Sequence, residues 1–145
     1  MLKEENIFLN VNATKKEEVL EFIANKAFKL NICKDEQGLL QDLKKREEEF
    51  STGLQDGFAI PHAKSKYVTA PTILFLKTEK GIDWGTMDDK KVNYLFALLV
   101  PSENENNIHL QMISKLTTCL LEDDFKEVDG KKLYRIRALK DFSNI

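Results

Sequence analysis

Val92-Asn93-Tyr94-Leu95-Phe96-Ala97-Leu98-Leu99-Val100 is apolar nearly throughout, and no other stretch of this 145-residue chain narrows the fold as far. A strand with one wet face alternates apolar and polar residues. A strand without that alternation must be covered on both faces. The wholly apolar part, Leu95 to Val100, is too short to span a bilayer. Pro101 follows, with no N–H to give to a ladder, and should stop the strand. The run therefore predicts a central strand in a sheet with material packed above and below it.

The rest of the chain supplies that material. Ile7 to Val11 reads as a first short strand. Thr14-Lys15-Lys16-Glu17 has the form of a capping box. Val19, Phe22, Ile23, Ala27 and Leu30 repeat at helical spacing behind it, and Asn31 suits a left-handed C-cap. Asp35 is a good N-cap for a second helix through Leu39, Leu40 and Leu43 to Glu47, with Lys44, Lys45 and Arg46 towards its C-terminal end. Ser51-Thr52-Gly53 should end it. Phe58–Ile60 and Thr72–Leu76 have strand length. Gly81 to Gly85 reads as a turn-rich link with room for a short strand around Ile82 and Trp84. Ile108, Met112, Ile113, Leu116 and Leu120 mark a third helix. The tail from Asp123 reads as one or two short helices around Gly130. Helices before, between and after strands make the class α/β. No linker or repeat divides the chain, so one domain over residues 1–145 is expected.

Composition excludes several functions. Twenty-two lysines and arginines balance 24 acidic residues for a net charge of −2, which speaks against nucleic acid as the main partner. The N-terminus carries acidic residues and no apolar core, unlike a signal peptide. Cys33 and Cys119 stand alone, as free thiols do in a reducing, cytoplasmic compartment. No phosphate-binding glycine loop is present, the two histidines lack metal-ligand spacing, and neither Ser51 nor Ser65 lies in a nucleophile elbow. No cofactor or metal is expected. Trp84 with Ile82 reads as core packing.

Chemistry concentrates around Gly53-Leu54-Gln55-Asp56-Gly57-Phe58-Ala59-Ile60-Pro61-His62-Ala63. Pro61 should end the strand Phe58–Ile60 and leave His62 where a strand runs out into a loop, anchored and exposed enough to react. Imidazole has an unperturbed pKa of about 6.5, so a neutral nucleophilic nitrogen is available near neutral pH. A strand-end histidine with one structural hydrogen bond is the plainer alternative. Arg46 could match the oxygens of a phosphoryl group with its guanidinium fork, or be a solvated helix-end cation. His109, near a helix start, could face an anion or sit half-buried beside Met112 and Ile113. Asp56 before Gly57 is a strong turn pair. Thr52 could donate a hydroxyl to phosphate or merely cap the turn.

Arg46-Glu47-Glu48, Ser51-Thr52-Gly53, Gly57-Phe58-Ala59-Ile60-Pro61-His62-Ala63 and Gly81-Ile82-Asp83-Trp84-Gly85 occur in that order in one family. From about Met1 to about Phe125 the chain resembles the enzyme IIA component, fructose/mannitol type, of the bacterial sugar phosphotransferase system. The resemblance implies a mixed sheet of about five strands between helical layers. It implies a cytoplasmic phosphotransferase in which His62 accepts a phosphoryl group from the phosphocarrier HPr and delivers it to the enzyme IIB component of a sugar permease. It makes Arg46 the phosphoryl-binding cation and His109 an auxiliary residue. It also places an acidic residue at Asp56, able to orient the imidazole or pair with Arg46. IIB and the membrane component would be separate chains, and the sugar, of the fructose, mannitol or galactitol type, is not named by the sequence. A regulatory module whose phosphorylation state controls binding to a partner is the rival implication. After Phe125 the sequence is more basic and less regular than the family's usual leucine-rich, acidic close.

Overall fold

The structure is a computed structural model and describes residues 3–103, 111–112, 114–115, 125–128 and 131–134. Its strands are β1 (Ile7–Val11), β2 (Phe58–Ala59), β3 (His62–Ser65), β4 (Thr72–Ile82) and β5 (Val92–Pro101), joined in one sheet. β1 runs parallel to β4, β4 antiparallel to β5, and β5 parallel to both β2 and β3. The class is the expected mixed α/β one, with five strands.

β5 is the doubly covered strand its composition demands. Leu95, Ala97 and Leu99 join Leu74 and Leu76 on the face packed with Val19, Leu20, Ile23, Leu39 and Leu43 from the helices. Phe96, Leu98 and Val100 join Ile73 and Phe75 on the opposite face, with Phe58, Ile60 and Met112. Strand alternation sorts the two sets. Gln111, Met112, Ser114 and Lys115 are helical, so the far face too is met by helix, through the fully buried Met112.

Helix α1 spans Lys16–Lys29 and α2 spans Glu36–Glu49. The capping box in front of α1 is shifted one residue from the expected position. Glu18, not Glu17, receives the Thr14 N–H at 2.9 Å, the Thr14 hydroxyl at 2.8 Å and the Lys15 N–H at 3.1 Å. The reason is that the helix begins at Lys16, which makes Glu18 its third residue. Asn31 takes the left-handed conformation expected of it, with φ 61°, and the Ile32 N–H donates back to the Ala27 carbonyl at 2.8 Å. Asp35 caps α2 by accepting the Gly38 N–H at 3.1 Å. Leu39, Leu40 and Leu43 are the buried residues of α2, each contributing roughly 1.5–3 kcal/mol by leaving water.

Three other expectations change. β4 runs on to Ile82, so only the residues from Asp83 form the link. Pro101 closes β5 as its last paired residue, opposite Ser65. In the tail, β6 (Phe125–Val128) and β7 (Lys131–Tyr134) form an antiparallel pair in place of short helices. The two residues between them, Asp129 and Gly130, are the strongest short hairpin signal a sequence carries.

Candidate functional site

His62 does not hang in a loop. Pro61 interrupts the edge strand without ending it. β2 and β3 pair with β5 in one continuous register, and the Pro61 carbonyl still accepts the Leu98 N–H at 3.0 Å. His62 is thus the first residue of β3. It is 7% exposed, more enclosed than a strand-end loop would leave it. Its Nδ1 lies 2.8 Å from the Ile60 carbonyl oxygen. A carbonyl only accepts, so the neutral ring carries its proton on Nδ1 and its lone pair on Nε2. Burial pushes the imidazole below its ordinary pKa, and the Arg46 charge pushes the same way. The Ile60 bond and Glu47 pull back without cancelling that shift. Burial and the Arg46 charge both favour the neutral ring.

Helix α2 packs beside β3 and forms the other wall. Asp42, Lys45, Arg46 and Glu49 lie on one helix face at the spacing a 3.6-residue turn gives. With His62, Ala63 and Lys64 they line a cavity of about 320 Å³. Three cations, Lys45, Arg46 and Lys64, and two carboxylates, Asp42 and Glu49, share that cavity with His62, an excess of one positive charge for an anion placed there. The Arg46 Nη1 donates to the Phe50 carbonyl at 2.9 Å, just beyond the end of its own helix. A larger groove of about 520 Å³ between α1 and α2, lined by Lys16, Glu17, Leu20, Lys44, Glu47 and Glu48, holds no such nucleophile.

The sequence singled out four residues around His62. Arg46 shares its cavity. Thr52 is buried next door, with its hydroxyl engaged: the Oγ1 accepts the Trp84 Nε1–H at 3.0 Å and donates its own proton to Glu47. Asp56 is the first of the two central residues of a tight turn, with φ 57° followed by Gly57 at 84°. That is the mirror-image turn Asp-Gly favours, closed by the Phe58 N–H to the Gln55 carbonyl at 3.2 Å. Asp56 is exposed there, its N–H donates to Asp88 at 3.0 Å, and it is not among the residues lining the His62 cavity. His109 lies outside the described residues, as does Cys119. Cys33 is a buried free thiol.

Glu47, the residue after Arg46 in the Arg46-Glu47-Glu48 motif, sits at the centre of the buried polar network. Adjacent residues on a helix point about 100° apart. Arg46 can therefore face the cavity while Glu47 faces the Thr52 turn. Trp84 is buried as expected and reaches the same network through Thr52. The signal was the Arg-Glu doublet itself, one charge for each side of the helix.

The family model for the phosphoenolpyruvate-dependent sugar phosphotransferase system, EIIA 2, matches residues 1–144. The fructose-specific EIIA component of Haloferax volcanii is 38% identical over 112 residues, 77% of this chain and 72% of that protein. The fructose-specific EIIABC component of Bacillus subtilis is 33% identical over 130 residues, 88% of this chain but only 20% of that longer protein. The crystal structure of the nitrogen regulatory protein IIA-Ntr from Neisseria meningitidis superposes with a TM-score of 0.80 at 27% identity, covering 96% of this chain and 92% of that one.

Proposed function

We infer the function from family and site together: the chain belongs to the EIIA 2 family of the phosphoenolpyruvate-dependent sugar phosphotransferase system, whose members transfer phosphate through a histidine. The carrier is His62. The observation that supports this most is the buried imidazole held by the Ile60 carbonyl in a cavity shared with Arg46. The Nε2 lone pair attacks the phosphorus of a phosphohistidine on the donor. The donor's P–N bond breaks and its electron pair returns to the donor ring. Positive charge grows on the His62 ring as the new bond forms, and the Nδ1–H bond to Ile60 stabilises it. Arg46, with Lys45 and Lys64 around the same cavity, offsets the charge spread over the phosphoryl oxygens.

The donor in this reading is HPr and the acceptor is the enzyme IIB component of a fructose- or mannitol-type permease, both met in the cytoplasm by one domain spanning the chain. His109 serves as auxiliary residue by resemblance. Likeness to the Neisseria nitrogen regulatory protein favours a second reading, in which the phosphorylated state controls a partner. Incubation with enzyme I, HPr and phosphoenolpyruvate tests the first step. One acid-labile, base-stable phosphoryl group per chain is expected, lost in His62→Ala and kept in His109→Ala. Full labelling of His62→Ala would overturn the assignment. Onward transfer to candidate IIB proteins separates transport from regulation.

A further inference from the structure

The Glu47 side chain is only 6% exposed. Its Oε2 accepts from the Thr52 N–H at 2.8 Å and from the Lys16 ammonium at 3.1 Å, and its Oε1 takes the Thr52 hydroxyl proton. All three neighbours donate. The Thr52 hydroxyl turns its proton to Glu47 because an ionised carboxylate only accepts, and its oxygen takes the Trp84 Nε1–H at the same time. Donors on both oxygens suit a carboxylate. An amide would either lose the bond the Thr52 hydroxyl donates or set its NH2 against the Thr52 N–H and Lys16.

The network continues to the imidazole. The Thr52 carbonyl accepts the Ile60 N–H at 2.9 Å, and the Ile60 carbonyl accepts from His62 Nδ1 at 2.8 Å. Glu47 thus fastens α2 to the turn that holds Ile60, and α2 carries Arg46 one residue before it. Lys16 ties α1 into the same point and lies 4.9 Å over the Trp84 ring.

We propose that Glu47 is a positioning residue: acting through Thr52 and Ile60, its ionised carboxylate fixes the imidazole of His62 against the guanidinium of Arg46. Glu47 does not touch the phosphoryl group. The consequence for rate rests on the carrier reading above, whereas the consequence for the ring does not. Small misplacements of reacting groups cost much, about a hundredfold for 1 Å. Loss of the clamp should therefore slow transfer without changing how the donor docks.

The test uses Glu47→Gln, Thr52→Val and Thr52→Ser in the full chain, with Lys44→Ala as control, since the Lys44–Glu17 ion pair lies outside the network. Nitrogen and proton NMR of His62 reads the Nδ1–H signal and tautomer with no phosphate present. Glu47→Gln and Thr52→Val should weaken that signal and mix the tautomers. At saturating HPr, kcat should fall about ten- to a hundredfold with KM within about twofold. Thr52→Ser, which keeps the hydroxyl, should restore both readouts, and Lys44→Ala should alter neither. If Glu47→Gln does not fold, the Thr52→Val and Thr52→Ser pair carries the same test. An unchanged His62 spectrum and kcat in folded Glu47→Gln or Thr52→Val would overturn the proposal and leave Glu47 a stability residue. A parent chain that takes no phosphate, but whose His62 spectrum still depends on Thr52, would overturn the carrier reading alone.

Discussion

Replacing Arg46 with alanine separates chemistry from folding. The hydrogen bond its guanidinium makes to the Phe50 carbonyl is exposed at the end of α2. Exposed charge at a helix C-terminus contributes about 0.3–1 kcal/mol, which in a chain of this size moves Tm by about 1–4 °C. The effect on transfer should be far larger. If the fork stabilises phosphoryl oxygens in transit, removing it should slow single-turnover transfer from phosphorylated HPr by about one to three orders of magnitude. Arg46→Lys should fall between, because a point charge keeps attraction and loses the paired geometry. A second readout is independent of phosphate. The Arg46 charge helps depress the His62 pKa, so the NMR titration of His62 should move up in Arg46→Ala. It should stay below the ordinary value, because burial is the larger cause. Rapid-quench assays give the rate and thermal melts give the stability. Transfer within about twofold of the parent in Arg46→Ala would refute the reasoning and return Arg46 to a solvated helix end.

Stability should depend on pH through His62. Its folded pKa lies below the unfolded 6.5, so between the two the unfolded chain binds more protons. Stability is then full above about pH 6.5 and falls as pH drops towards the folded pKa. Urea midpoints between pH 7.5 and 5 should show this slope in the parent and lose it in His62→Gln. The depressed carboxyls of Glu18 and Asp88 lose their contributions only further down, below their usual 4.5 and 3.8. Gly53→Ala would set a Cβ 2.5 Å from the Gly85 carbonyl oxygen and should cost about 1–3 kcal/mol, read as a lower urea midpoint; an unchanged midpoint would mean the two segments part freely. For His109, glutamine keeps an N–H donor that alanine removes, so His109→Gln should pass phosphate to IIB faster than His109→Ala, and equal parental rates in both would make it a core-edge residue.

The parts of the fold that were legible are those governed by local rules. Asn31, Asp35 and the β5 run each have a single physical solution, and each is found in it. The misplaced capping box turned on one residue of helix start, a distinction that Glu17 and Glu18 in succession do not make. In the tail the apolar residues fit either period, and the strands form instead of helices around Asp129-Gly130, a pair that favours a hairpin. At the candidate site, His62 and Arg46 stood out through the motifs of the resemblance, since each taken alone also fits a plain structural reading; the structure brings both to one cavity. Glu47 did not stand out, since a glutamate in a charged helix looks solvated until the turn at Thr52 closes over it. Exposure of His62 was misjudged for a related reason. Proline was read as an end, but on this edge strand its missing N–H costs one ladder bond to β5 while its carbonyl still accepts the Leu98 N–H, so the register runs on.

That edge also explains why a histidine here can be held so closely. Alternate residues of a strand turn their backbone groups to opposite sides. The carbonyls of Gly57 and Pro61 accept N–H groups of Tyr94 and Leu98 on β5. Ile60, between them, turns its groups outward, where no further strand among the described residues pairs with β2 or β3 beyond β5. Unpaired buried backbone groups are costly, so each must find a partner. The N–H finds the Thr52 carbonyl and the C=O finds the His62 ring two residues on. The histidine is thus fixed by a backbone group that the sheet leaves over. On the proposed chemistry the same bond serves twice. It selects the tautomer that can attack, and it strengthens as the ring gains charge, in a place where burial alone would resist that charge.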